Sequence, residues 1–202
     1  MISNSNFISY DFLKLFLETI LLCLLSTGVA VSFPPLFILI FNNRIGISTI
    51  RAISFLFRLI PPPIIILVLL MFNDPSISLA ALTLGLHNAA ITSKLLLGNL
   101  YSQDNKEYIA MKSLGVAKRS SWLFGLFAKQ ANSYLAYCAY RSDIIIRDTA
   151  ILGVIGGVGV GWQLQESLSS FAWEEVLVIL FAYSAIAIIG ELINGKIKSN
   201  LT

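Results

Sequence analysis

Charge is what this sequence lacks. Of its 202 residues only 12% are Asp, Glu, Lys or Arg, while 56% are hydrophobic, and the mean hydropathy is +0.80. Soluble domains carry roughly 25% charged residues, and a chain of this size must still wet a large exterior. A water-soluble globule is therefore excluded, and a bilayer is the solvent that fits. Histidine is almost absent. The single His87 rules out His-rich metal sites and HExxH chemistry. The two cysteines, Cys23 and Cys138, stand in apolar stretches without metal-ligand spacing, so buried small hydrophobes are expected and no disulfide framework. A net charge of +3 is too small for a nucleic-acid footprint, and no nucleic-acid partner is expected. The opening MISNSNFISYDFLKLF has neither the basic n-region nor the small-residue cleavage site of a signal peptide, so the first apolar segment is expected to stay in the mature protein. A phosphate-binding P-loop is also missing. GELINGKI (190–197) comes close but ends on Ile197, which cannot ligate magnesium, and it closes an apolar span.

What is there is a series of long apolar runs. A spanning helix needs about 20 mostly apolar residues, and about five stretches qualify: 13–41, interrupted by Pro34-Pro35; 50–72, with Pro61-Pro62-Pro63 near its middle; 77–97; 123–146; and 176–193. The whole chain, 1–202, reads as one all-α transmembrane domain. Lys and Arg in short loops mark the cytoplasmic side. Arg44 and Arg51 follow the first span, Lys106, Lys112, Lys118, Arg119 and Lys129 fill the longest polar segment (about 100–130), and Lys196 and Lys198 lie in the tail. The opposite loops hold Asp74, Glu166, Glu174 and Glu175. With five spans every basic loop falls on one side, which puts the N-terminus outside and the C-terminus in the cytoplasm.

Two stretches carry candidate chemistry. In the long polar loop, EYIAMKSLGVAKRS reads as a short helix over 107–114 stopped by Gly115, with a second helix from about Lys118. Its apolar residues suit either a helix lying on the lipid surface or one docked in a groove of a soluble partner. The other stretch is AYRSDIIIRDTAILGVIGGVGVGW (139–162), where Arg141, Asp143, Arg147 and Asp148 precede five glycines. A charge in mid-bilayer costs about 2.5–3.5 kcal/mol on insertion scales, so such groups face protein or a water-filled path. Asp143 and Arg147 are i,i+4 and share a helix face, acid first. They fit a structural ion pair, or a cationic lining for an oxyanion. Gly153, Gly157 and Gly161 recur at four-residue steps, the pattern that lets helices approach closely across a dimer axis or at a gate, while Gly156 and Gly159 offer bare amides that could meet an anion. His87 and Asn88 form a polar pair within the third span, suited to an interhelical hydrogen bond. Arg58 is expected to snorkel or to support the helix break before Pro61.

A small helix ending in glycine between membrane spans resembles the "EAA" coupling loop of binding-protein-dependent ABC importer permeases. FLETILLCLLSTGVAV (16–31 with its flank), FRLIPPP (57–63), LGLHNAAITSKLL (84–96) and LAYCAYRSDIIIRDTAILGVIGGVGVGWQL (135–164) are similar, in order and spacing, to the phosphonate-type permease subunits. The resemblance implies a type I (MetI-like) permease fold in a bacterial plasma membrane, translocating phosphonate- or phosphite-like oxyanions. It implies a second permease copy, separate ATPase subunits that carry the ATP and magnesium, and an extracytoplasmic binding protein. No cofactor and no catalytic residue are expected in this chain. Ala110, Met111, Ser113, Leu114 and Gly115 would form the ATPase-coupling helix. His87, Asn88, Arg141, Asp143, Arg147, Gly153, Gly157 and Gly161 would line the pathway or gate. The loop departs from the family where its glutamate should fall, which is Ile109 here; Ala110 matches, Met111 replaces a small or apolar residue, and a proline is replaced around Ala128-Lys129. Those departures keep open a non-transporting scaffold or regulatory subunit derived from a permease, or a permease for another small solute.

Overall fold

The computed structural model describes residues 10–102 and 106–201, and among them every regular element is helical. The sequence readings that touch 1–9, 103–105 and 202 lie outside the described residues. In chain order the helices are α1 (Tyr10–Ile40), α2 (Arg44–Leu59), α3 (Pro62–Leu70), α4 (Ile77–Ser102), α5 (Lys106–Ser113) and α6 (Lys118–Trp122). A π-helical turn (Leu123–Phe127) then leads into α7 (Ala128–Gly156), followed by α8 (Gly159–Ser169) and α9 (Trp173–Leu201).

Proline placement explains the first half of the chain. Pro34 and Pro35 were expected to interrupt the first span, yet α1 runs straight through them. Each proline lacks an N–H and so frees the carbonyl four residues back, here Ala30 and Val31. Both carbonyls find other donors. Thr92 Oγ1 donates to Ala30 O at 2.9 Å, and Tyr134 Oη donates to Val31 O at 2.7 Å. Side chains of two neighbouring helices thus replace the missing bonds, which is how an apolar medium tolerates proline inside a span. At Pro61-Pro62-Pro63 the outcome is different: α2 ends at Leu59, α3 restarts with Pro62 in its first turn, and the two are bent by 90°. Pro61 frees Phe57 O, and His87 Nδ1 donates to it at 2.9 Å. Arg58 Nε bonds Ser54 O at 3.0 Å, so this cation sits on the last turn of α2, where the helix dipole favours it.

α4 is the axis of the molecule, enclosed by α1, α2, α3 and α7. Gly85 lets α1 close on it: a Cβ there would lie 2.7 Å from Val29 Cβ. One apolar cluster joins α1, α3, α4 and α7 through Leu22, Ile66, Leu84, Ile145 and Leu152. A second, around Ile38, Leu96, Trp122 and Tyr134, holds the end of the molecule that carries the polar loop. The exterior is greasy. Leu177, Leu180, Phe181, Ile188, Ile189 and Leu192 of α9 are all exposed, a surface that only lipid or another apolar chain solvates. Cys23 and Cys138 are buried free thiols.

By length and composition, two helices can cross a membrane, 12–40 within α1 and 173–197 within α9, or four if the bent pairs α2–α3 and 118–156 with α8 each count as one span. The protein is an integral membrane protein. The segment that keeps this count below five is α4. Its 26 residues are long enough, but His87, Asn88, Thr92, Ser93 and Lys94 dilute its hydropathy. Three of those polar groups are enclosed by protein, since Asn88, Thr92 and Ser93 are buried, while His87 is half-buried and Lys94 exposed.

Candidate functional site

The polar residues of α4 face the charged stretch of α7. Asn88 is wholly buried, and its Nδ2 donates to Leu84 O at 2.8 Å, which leaves Oδ1 to accept. Arg141 supplies the donors: Nε reaches Asn88 Oδ1 at 3.1 Å and Nη2 bonds the same oxygen. One amide oxygen thereby aims a guanidinium, with three of its five N–H groups left over. His87 stands one residue away, its Nδ1 proton committed to Phe57 O, because a carbonyl only accepts.

Apart from Lys129 at its start, the charges of α7 divide into two sets. Asp143 and Arg147 pair directly, Oδ2 to Nη2 at 3.0 Å, as their spacing predicts. Arg141 and Asp148 are seven residues apart, within about 20° of each other around the helix and about 10 Å apart along it. Both are half-buried, and Arg141, Asp148 and His87 lie within coulombic reach of one another. Asp148 makes no hydrogen bond or ion pair among the described residues. The signal in the sequence is the i,i+7 step from Arg141 to Asp148.

The glycine run is a helix break and not a continuous small-residue stripe. α7 ends at Gly156, Gly157 is left-handed at φ +65°, and α8 starts at Gly159, also left-handed at φ +62°. Gly153, Gly157 and Gly161 therefore do not share one helix face. Gly153 and Gly161 instead meet across the break. A Cβ on Gly161 would lie 2.7 Å from Ala150 O and 2.8 Å from Gly153 Cα, so α8 folds back against α7 backbone to backbone. The amides at the start of α8 are also taken. Gly159 N donates to Glu18 Oε2 at 3.3 Å and Val160 N to Thr19 Oγ1 at 2.9 Å, so α1 caps α8 from a distance in sequence that no local motif reveals.

The polar loop forms the helix its sequence predicts, one residue earlier at each end. Val116 N donates to Met111 O and Gly115 N to Lys112 O, each at 3.1 Å, with Gly115 left-handed at φ +80°. This is a Schellman ending, where glycine is the favoured residue. Nothing in α5 is buried: Ile109 is 62% exposed, Ala110 and Ser113 are exposed and Met111 is half-exposed, and Leu114, just beyond the helix, is 82% exposed. Yet α5 is firmly mounted. A Cβ on Gly125 would lie 2.9 Å from Tyr108 Cα, so α5 rests on the π-helical turn, and Lys129 Nζ bonds Glu107 Oε1 at 2.9 Å. The Lys129 ammonium holds the Glu107 carboxyl below the usual range.

The described residues hold no group of three or more His, Cys, Asp or Glu arranged for a metal ion. What the arrangement offers is an aimed cation between two helices, two helix breaks at prolines and glycines, and an exposed helix mounted on the same long helix.

The fold matches, at a TM-score of 0.68 over 96% of this chain and 100% of the other, a chain in the crystal structure of an amino acid ABC transporter with histidines; at 16% identity the likeness is one of fold alone. In sequence the chain is 26% identical over 159 residues to a Stutzerimonas stutzeri protein named as the permease of a phosphite transport system, covering 79% of this chain and 61% of that one. It is 25% identical over 168 residues to the phosphate-import permease protein of Mycolicibacterium smegmatis, 81% of this chain and 32% of that one. A phosphite transport system permease protein of S. stutzeri is 22% identical over 119 residues, 59% of this chain and 43% of that one. The chain thus spans less than two thirds of the length of each of these relatives. No protein-family model matches it. The resemblance read from the sequence, to the permeases of phosphorus-oxyanion importers, holds.

Proposed function

We propose that this chain is a membrane-spanning permease subunit of an ATP-driven ABC importer, and that its cargo is a phosphite- or phosphonate-like oxyanion delivered by a binding protein. The observation that carries the reading is α5: an exposed, glycine-terminated helix fixed by Gly125 and the Lys129–Glu107 pair to the helix that presents Arg141. Partner ATPases moving α5 would move α7 with it, and alternating access follows as a rigid-body change. ATP and magnesium belong to those partners, and a second permease copy completes the pathway.

The proposed topology has five spans, α1, α2–α3, α4, α7 and α9, with the N-terminus outside and the C-terminus cytoplasmic. Two long-range contacts support it. Lys118 Nζ bonds Asn42 O, joining the two basic loops at one end. Glu18 reaches Gly159 at the other end. In this reading Arg141, His87 and Asn88 contact the path, Asp143–Arg147 stabilises α7, and Gly153, Gly157 and Gly161 form the fold-back beside it.

Copurification with the partner ATPase tests this directly. Wild type should bring the ATPase down, and Gly115→Asp should weaken the complex and abolish ATP-dependent uptake while the chain remains in the membrane. The exposed Ile109 where relatives of this class would carry a glutamate favours one rival, a non-transporting scaffold. A chain that binds no ATPase under any condition would be that scaffold.

A further inference from the structure

Asp148 is the charge of α7 that no other side chain among the described residues pairs. It is a half-buried carboxylate in the middle of a helix, without a hydrogen-bond or ion-pair partner among the described residues, although an unpaired charge in such a place is costly. Arg147, its sequence neighbour, is turned to Asp143 on the opposite flank of α7. Arg141 shares the flank of Asp148, but its guanidinium is bonded to Asn88. The two opposite charges are therefore held apart, each with unused hydrogen-bonding capacity: three N–H donors on one, carboxylate oxygens on the other. The imidazole of His87 lies beside them.

We propose that Arg141 and Asp148 form a two-ended site for a tetrahedral oxyanion that keeps an acidic O–H at neutral pH, the guanidinium taking ionised oxygens and the carboxylate taking the O–H. The proposal rests on the importer reading and narrows its cargo. A bare cation would hold any anion, and a fully ionised one best. A carboxylate in the same site repels an anion that has no proton to donate and accepts from one that does. Hydrogen phosphonate and hydrogen phosphate ions meet that condition; sulfate, of the same shape, does not. A buried polar group left without its partner is the strongest source of discrimination available to a site of this size. Asp148 is then a specificity-determining residue, and Asn88 a positioning residue that acts by aiming Arg141.

The test uses the permease with its ATPase in nanodiscs at pH 6.5, without the binding protein, whose own site would take the probe, with methylphosphonate as probe and its 31P line width as readout. Sulfate is expected to displace methylphosphonate from wild type at least about tenfold less well than phosphate does. In Asp148→Asn, whose amide can donate to an ionised oxygen, that gap should close to roughly twofold or less. Glu166→Gln, which removes an exposed charge on α8, should leave it unchanged. Equal displacement by sulfate and phosphate in wild type overturns the proposal, as does an unchanged gap in Asp148→Asn, or a line width that the complex never affects. The wild-type comparison decides the matter even if Asp148→Asn fails to assemble. Failure of the importer reading shows elsewhere, in the absence of Gly115-dependent ATPase capture.

Discussion

Gly115 and Gly161 are both glycines for reasons that a single methyl group separates. At Gly115 the φ of +80° is the obstacle, since a Cβ there would meet nothing within 4 Å. Alanine should cost about 1 kcal/mol and asparagine less, because asparagine tolerates the left-handed region. At Gly161 the obstacle is space: Gly161→Ala would press on Ala150 O and Gly153 Cα, and about 1–3 kcal/mol of destabilisation is expected. Gly98, with open space around it, is the control, and Gly98→Ala should not lower the midpoint of thermal unfolding in detergent. The Glu107–Lys129 pair belongs to the same scale. The Glu107 carboxyl lies below its ordinary value, chiefly through the hydrogen bond from Lys129, so the pair contributes above the unfolded carboxyl's titration and is lost only as pH falls through the lowered one. Crosslinking of α5 to the π-helical turn should therefore be unchanged between pH 8 and pH 5 and fall below about pH 4. Loss of crosslinking already at pH 6 would contradict it.

Elements are held in register here by side chains that answer prolines. Thr92 serves the carbonyl freed by Pro34, Tyr134 the one freed by Pro35 and His87 the one freed by Pro61. Thr92→Val should destabilise by about 1–2 kcal/mol, because it leaves Ala30 O short of a donor. In Pro34→Ala the backbone N–H returns, and Thr92→Val on that background should cost markedly less. Additivity of the two changes in a double-mutant cycle would show that Thr92 does not act through the proline gap. This is also where sequence reasoning stopped. The i,i+4 pair Asp143–Arg147 and the glycine stop of α5 are local and were legible. Pro34-Pro35 reads locally as a break, and the donors that prevent it lie 62 and 103 residues away. The glycine run reads as one helical face because glycine permits both a helix and a left-handed turn, and only the packing of Gly161 on Gly153 decides between them. α4 as a long helix was legible from its apolar run, and the reason it can carry buried polar groups, its packing against four other helices, was not.

At the scale of the whole molecule, the contacts Lys118–Asn42 and Glu18–Gly159 mark two ends, and the proposed topology assigns the first to the cytoplasm. Single cysteines placed at Asp74 and at Ser120 check it, since the native Cys23 and Cys138 are buried and should stay silent. A membrane-impermeant maleimide should label the Asp74 position in intact cells and the Ser120 position only after lysis; the reverse pattern would invert the molecule. The long helix from Lys118 to Gly156 connects these ends, with α5 mounted near its start and Arg141 and Asp148 further along it. The central claim is that motion delivered at α5 opens a path for an oxyanion. Its most direct measurement is uptake of radiolabelled phosphite and methylphosphonate into proteoliposomes holding this chain, its ATPase and its binding protein, with and without ATP, for wild type and Gly115→Asp. The account predicts uptake that requires ATP and disappears in Gly115→Asp with the chain still in the membrane. Uptake that persists in Gly115→Asp, or a stable and ATP-hydrolysing complex that moves neither compound, would contradict it.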